Sequence, residues 1–288
     1  MDRIATLSYA QSTDHWLKRK VVNLVELATG REKITSIYQQ LKDEPFQVPK
    51  FFSRGIQLSK LSLRYNQEME ARIPKDGPLV FVANHPFGII DGLILCEIAA
   101  RIRGDFRILL NNRLMKDENL NKLFLPVDFD GTREATRKNV ETKKTAQQIL
   151  ENGGTIIIFP SGSVATRWKF GLGPLEELPW STFAAKIITK SKATVVPVNF
   201  DGENSAAFHL ASSISESARL SLFISEVTRR IGTTIEFKIG KPVSYKEMKQ
   251  HKSRKNLTEF LKEKVDELAS ETPRNKFLAL PQFLKKSA

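Results

Sequence analysis

Two rhythms of apolar residues run along this chain, and they change over at the turn signal PKDGP, residues 74–78. Before it, to about Arg72, the chain reads as helices broken at Pro45 and Pro49, and LKRKVVNLVELATG ends in a glycine that suits a helix C-terminus. After it come short β-rich runs: LVFVA at 79–83, FRILL at 106–110, TIIIF at 155–159, TVVPVNF at 194–200 and TIEFKIG at 234–240. The stretches GLILCEIAARIR, NVETKKTAQQILENGG, STFAAKIITKSK and SESARLSLFISEVTRRIG separate them and predict helices, most with basic residues near their C-termini.

Strands alternating with helices predict an α/β fold: a mostly parallel or mixed sheet flanked by helices, with an N-terminal helical segment. The expected division is 1–72 for that segment, 73–245 for the α/β domain and 246–288 for a C-terminal helix and basic tail. Taken as a helix, residues 51–65 (FFSRGIQLSKLSLRY) place Phe51, Leu58, Leu61 and Tyr65 on one face, with Lys60 and Arg64 away from it. Such a helix suits a lipid headgroup layer. Packing on the core is the competing expectation, because Arg54 shares the face and Ile56 and Leu63 lie off it.

A length of 288 residues accommodates one such domain with extensions and does not require two cores. An apolar fraction of 41% and a charged fraction of 27%, with three Trp and 18 Phe to fill a core, exclude global disorder. Lys and Arg exceed Asp and Glu by 13, so the surface attracts anions: nucleic acid, anionic lipid or an acidic carrier protein. The single Cys96 excludes an intramolecular disulfide and a multi-cysteine zinc site, and its place in LILCEIAARI predicts burial in a helix. A reducing cytosol is the favoured compartment. The N-terminus is too polar for a signal peptide, and no run reaches the length of a spanning helix, so the expected location is peripheral to a membrane.

The chemistry collects where strands end. LVFVA runs into Asn84-His85-Pro86-Phe87-Gly88-Ile89-Ile90-Asp91-Gly92, which puts His85 at a strand exit and Asp91 near a helix start. A carboxylate folded back onto the imidazole fixes its tautomer and makes it a base toward a hydroxyl. Taken alone the pair equally suits a helix cap. Phe159-Pro160-Ser161-Gly162 likewise follows a β-run, and IFPSGSV lacks the leading glycine of a nucleophile elbow, which argues against Ser161 as a nucleophile. His15, His209 and His251 fall in no recognisable constellation.

The His85 stretch resembles the first motif of the glycerolipid acyltransferase superfamily, in which a His and an Asp separated by four residues form the catalytic pair. Five intervene here. The variant NHPFG-x-x-DG is similar to a bacterial hemolysin-like subgroup that includes O-acyltransferases of lyso-ornithine lipids and related lysolipids. The likeness continues, in the family's order, through GGTIIIFPSGSVAT, LPWSTFAAKIITKS, VVPVNFDGENSAAFH and IEFKIGKPVS, and covers roughly residues 20 to 245.

The resemblance implies a PlsC-like fold and transfer of a fatty acyl group from acyl-carrier protein or acyl-CoA to a lysolipid hydroxyl, with no metal or prosthetic group. His85 and Asp91 take the catalytic roles. Asn84 and Gly88 from the first motif, and Phe159, Pro160, Ser161 and Gly162 from the second, are implied to meet substrate. Ser161 stands where the wider family has Glu, so the carboxylate of that motif is lost; the N–H groups of Ser161, Gly162 and Ser163 are the expected oxyanion donors. Arg133 and Arg137, with Arg113 before them, match loosely a region where the family binds the acceptor's phosphate. Pro197 matches a proline beside the acyl pocket, and Asn204 is expected to cap the chain there. The competing class is a non-catalytic basic protein that binds anionic membrane lipid or nucleic acid. Nucleic acid is not expected as a partner, because no zinc-ligand spacing, RNP-like strand or basic block with interleaved aromatics is present.

Overall fold

The computed structural model describes residues 30–112, 117–128 and 130–270. The glycine-closed stretch up to residue 29, with His15, and Arg113 and the tail from residue 271 lie outside the described residues. The strands are Ser62–Arg64 (β1), Leu79–Ala83 (β2), Arg107–Asn111 (β3), Phe124–Val127 (β4), Thr155–Ile158 (β5), Thr194–Asp201 (β6) and Thr234–Ile239 (β7). They form one sheet in the order β1-β7-β6-β2-β5-β3-β4, parallel at every pairing except β6 with β7.

Central parallel strands are covered on both faces and read as unbroken apolar runs. Every residue of β2 and β5 is buried accordingly. Leu79, Phe81 and Ala83 point into one core, and Val80 and Val82 into the other. Two strands escaped the sequence reading. The three residues of β1 are too few to show a pattern, and β4 carries Pro126 within its ladder to β3. That ladder lies at the sheet edge, where a missing N–H is tolerated.

The helices are Arg31–Lys42 (α1), Val48–Leu58 (α2), Gln67–Glu70 (α3), Ile89–Arg103 (α4), Glu118–Asn121 (α5), Arg133–Glu151 (α6), Phe183–Ser191 (α7), Ala206–Ile214 (α8), Glu216–Arg230 (α9), Tyr245–Met248 (α10) and Arg254–Ser270 (α11). Phe52 of α2 and Ile94 and Leu95 of α4 join the first core. Leu150 of α6, Ile187 of α7, and Leu257, Leu261 and Val265 of α11 join the second. The segments before residue 73 and after residue 245 therefore pack on the same sheet as the segment between them. None of the described helices is long and apolar enough to cross a membrane.

Residues 51–65 are not one helix. α2 stops at Leu58, Lys60 takes a left-handed φ of 51°, and Ser62–Arg64 turn into β1 to pair with β7. Their apolar side chains are spent on the core: Phe52 and Leu61 are buried, Phe51, Ile56 and Leu63 pack against them, and Tyr65 stacks on Phe237 at 4.7 Å. Arg54 pairs with Glu44 at 2.9 Å and Arg64 with Glu236 at 2.6 Å. Of the two expectations for this segment, the core contact is the one formed.

Candidate active site

Because β2, β5 and β6 are adjacent and parallel, their carboxyl ends deliver three loops to one edge of the sheet. The loop after β2 carries His85 into α4. Asp91 sits in the first turn of α4 with no solvent exposure, and its Oδ2 accepts the Phe87 N–H at 2.9 Å and the Gly88 N–H at 3.0 Å. Two charge-assisted bonds and the positive end of a helix offset the cost of burying that carboxylate. The same Oδ2 lies 3.0 Å from His85 Nδ1, somewhat off the direction of the ring N–H. With Nδ1 turned inward, Nε2 is the nitrogen that remains for a hydroxyl.

The five-residue spacing is absorbed at Pro86-Phe87-Gly88. Gly88 has φ of 88°, and a Cβ there would lie 2.7 Å from Cε1 of Phe223. Phe87 is buried against Gly202, where a Cβ would come within 2.7 Å of its ring. Arg230 covers the ring with its guanidinium 4.2 Å from the centroid; burial holds that guanidinium below its ordinary pKa, while Glu226 and Asp91 pull the other way. Gly88 thus serves the turn, and the loop is locked by packing.

The His85 backbone is pinned on both sides. Its carbonyl accepts the Ala165 N–H at 2.9 Å, and its N–H donates to Glu177 Oε1 at 2.7 Å. Its ring stacks on Phe159 with centroids 4.0 Å apart. Glu177 was not singled out in the sequence, yet it reaches the second motif as well: Ser161 Oγ is 3.3 Å from Glu177 Oε1 and donates to the Ser163 carbonyl at 2.9 Å. A carboxylate thus stands beside FPSG, from a residue 16 positions later. Burial raises the Glu177 pKa above the ordinary carboxylate value, against the N–H groups of Trp180 and His85 that favour the ion.

The remaining sequence candidates fall into place unevenly. Asn84 exchanges two hydrogen bonds with the Phe200 backbone, 2.9 and 2.7 Å, and so extends the β2–β6 ladder. The Pro160 carbonyl accepts the Ser181 N–H at 2.9 Å. Gly162 closes a turn with φ of 66°, and its N–H donates to the Phe159 carbonyl at 2.9 Å, which takes it out of the expected oxyanion set. Pro197 lies inside β6 where its carbonyl accepts the Gly240 N–H at 2.8 Å. N–H and C=O of a strand residue point to the same side, so the missing donor faces the point where β7 has ended. Arg133 and Arg137 are exposed in the first turns of α6, which follows β4 at the sheet edge, three strands from β2. Asn204 caps nothing: Ser205 is the cap of α8, its Oγ accepting the Phe208 N–H at 3.2 Å.

Two further residues carried no local sequence signal. Arg219 of α9 donates to Ser163 Oγ at 3.1 Å, bringing a guanidinium to the Ser161 turn. His209 is not incidental, since its Nδ1 accepts the Arg167 N–H at 3.3 Å and its Nε2 lies 3.1 Å from Glu203, itself held by Arg167. Burial lowers the His209 pKa. Among the described residues no group of three or more His, Cys, Asp or Glu side chains could hold a metal ion.

A family model described as acyltransferase matches residues 22–271. Two curated relatives, lyso-glycine lipid O-acyltransferases of Phocaeicola vulgatus and Bacteroides thetaiotaomicron, are each 28% identical over 204 residues, which is 68% of this chain and 70% and 72% of theirs. The crystal structure of the 1-acyl-sn-glycerophosphate (LPA) acyltransferase PlsC from Thermotoga maritima matches with a TM-score of 0.53 and 17% identity, covering 90% of this chain and 100% of that one. At that identity the likeness is one of fold.

Proposed function

This chain belongs to the acyltransferase family, and from that premise we propose that it moves a fatty acyl group from a thioester onto the free hydroxyl of a lysolipid, with His85 as general base. The observation that carries the assignment is the buried Asp91 carboxylate 3.0 Å from His85 Nδ1, at the carboxyl edge of the sheet. The lysolipid hydroxyl gives its proton to Nε2 as its oxygen attacks the thioester carbonyl. Asp91 orients the ring and balances the imidazolium. The intermediate then expels the thiolate, the C–S bond breaks, and the imidazolium returns the proton to sulfur. Ser161 and Ser163 offer N–H groups to the oxyanion, and Arg219 adds a positive charge beside them.

The relatives' names favour a lyso-aminolipid acceptor such as a lyso-glycine lipid. The excess of 13 basic residues suits a donor with phosphate and carboxylate groups, whether acyl-carrier protein or acyl-CoA, and an anionic membrane at the cytoplasmic face. A simple binding module gives no reason to bury a carboxylate beneath an imidazole that keeps only part of its edge exposed.

The test is incubation of purified protein with a panel of lysolipids and labelled acyl-carrier protein or acyl-CoA, with products identified by mass spectrometry. Acylated lysolipid made by the parental protein and lost in folded His85→Ala is the expected result. Product formed at the parental rate by His85→Ala sinks the mechanism.

A further inference from the structure

A surface helix ordinarily turns charged residues to water, and α8 does not. Its sequence, AAFHLASSI, contains no Lys, Arg, Asp or Glu. The inner side buries Phe208, His209 and Ala211, and the outer side exposes Ala207, Leu210 and Ile214 at helical spacing. Beside it stands the loop RWKFGLGPL, residues 167–175, which turns Trp168, Phe170 and Leu172 outward, the last two 69% and 89% exposed. A Cβ on Gly171 would lie 3.6 Å from both the Ala206 carbonyl oxygen and the His209 Cβ, so the loop lies against the helix and its exposed apolar side chains stand beside those of α8.

The loop is held in this posture. An antiparallel bridge between Thr166 and Glu176 closes its base, Arg167 donates to the Gly173 carbonyl at 2.7 Å, and Ser213 of α8 donates to the Trp168 carbonyl at 2.8 Å. Phe170 sits at φ of 50°, a conformation that a bulky L residue adopts at a cost. A contiguous exposed apolar patch maintained against that cost marks an interaction surface.

Charge and position identify the occupant. Neither the loop nor α8 has an acidic residue, and Lys169 stands between Trp168 and Phe170. Aromatic and aliphatic tips flanked by a cation match the boundary between acyl chains and anionic headgroups. Both ends of the loop lead into the active site: its entry passes Ser161 and Ala165, which donates to the His85 carbonyl, and its exit passes Glu177, which accepts the His85 N–H. We infer that residues 167–175 and the outer face of α8 dock this protein on an anionic lipid bilayer, bringing the loops that hold His85 to the surface that carries the lysolipid. The inference rests on the lysolipid reading above.

The test is sedimentation of the full chain with phosphatidylcholine vesicles containing phosphatidylglycerol. Phe170→Ser with Leu172→Ser, and separately Leu210→Ser with Ile214→Ser, should each weaken binding about tenfold or more, as expected when two apolar side chains no longer enter lipid. Val140→Ser, an equally exposed change on α6 across the sheet, should bind as the parent does. A dye attached at Leu172→Cys, with buried Cys96 out of reach of the reagent, should shift its emission to the blue on the vesicles. Parental binding in both double variants, or no shift of the dye, overturns the docking surface. Loss of acyl-carrier protein binding in those variants with vesicle binding intact overturns it in favour of a protein partner. A parental protein that docks through this patch but acylates no lysolipid keeps the surface and refutes the acyl-transfer reading.

Discussion

Glu177 Oε1 accepts the backbone N–H of His85 at 2.7 Å, although 92 residues separate them in sequence. The bond fixes the main chain from which the imidazole projects, so Glu177 is a positioning residue. Glu177→Ala leaves that N–H and the Trp180 indole N–H without their acceptor, and a small shift of the base should lower kcat about tenfold to hundredfold with little change in KM. Glu177→Gln keeps one acceptor oxygen and should recover part of the loss. Equal kcat in parent and Glu177→Ala, measured at saturating lysolipid, removes Glu177 from the site.

The direction of the Glu177 shift also fixes a pH dependence. Its folded pKa is raised by burial, so the folded chain holds this proton more tightly than the unfolded chain. Its contribution to stability is then fully present below the ordinary value of 4.5 and is lost as pH rises through the raised folded value. Thermal midpoints of parent and Glu177→Gln, compared across mildly acidic to neutral pH, should move in the variant's favour as pH increases. The opposite trend contradicts the assignment.

His85→Ala should cost about 10²-fold or more in turnover while circular dichroism stays that of the parent, since general-base assistance alone is commonly worth that much. Asp91→Asn should be comparably harmful. It keeps the shape but replaces a group that accepts two backbone N–H bonds and faces Nδ1. Steady-state rates with a lysolipid and a labelled thioester donor check both.

Gly88→Ala places a Cβ at φ of 88° and 2.7 Å from Cε1 of Phe223. Left-handed strain and overpacking together should destabilise the fold by about 2–4 kcal/mol. Pairing it with Phe223→Ala should cost less than the sum of the two changes, because the clash is removed. Additive denaturant midpoints would deny the contact.

Ser161 spends its hydroxyl proton on the Ser163 carbonyl at 2.9 Å and stands 3.3 Å from Glu177, so it is held within its own turn. Mixing the protein with donor and no acceptor should leave its intact mass unchanged. An added acyl mass that disappears in Ser161→Ala would make Ser161 the nucleophile and end the direct-transfer mechanism.

The sequence disclosed what local pattern can encode. β2, β3, β5, β6 and β7 were legible because both-sided burial or strong β preference leaves a run that needs no partner to be seen. β1 and β4 were not, since three residues in one and Pro126 in the other erase the pattern, and only pairing with β7 and β3 makes them strands. α8 was missed because a helix apolar on both sides shows no stripe. His85 and Asp91 lie in one short turn, so spacing alone brought them to notice. Glu177 and Arg219 reach the site along a separate loop and helix, and nothing near them in sequence distinguishes them from solvent-facing charges.

The edge pairing of β1 with β7 joins Ser62 to Thr234. During synthesis the first of these leaves the ribosome long before the second, and α11, which seals Val80 and Val82, follows later still. Until α11 is made, the nascent chain therefore carries a sheet face that only α6 and α7 cover, a surface suited to a holding chaperone. A stop codon placed before residue 254 would make that passing state permanent, and the shortened product should be cleared by proteolysis or accumulate as aggregate with both His85 and Asp91 still encoded.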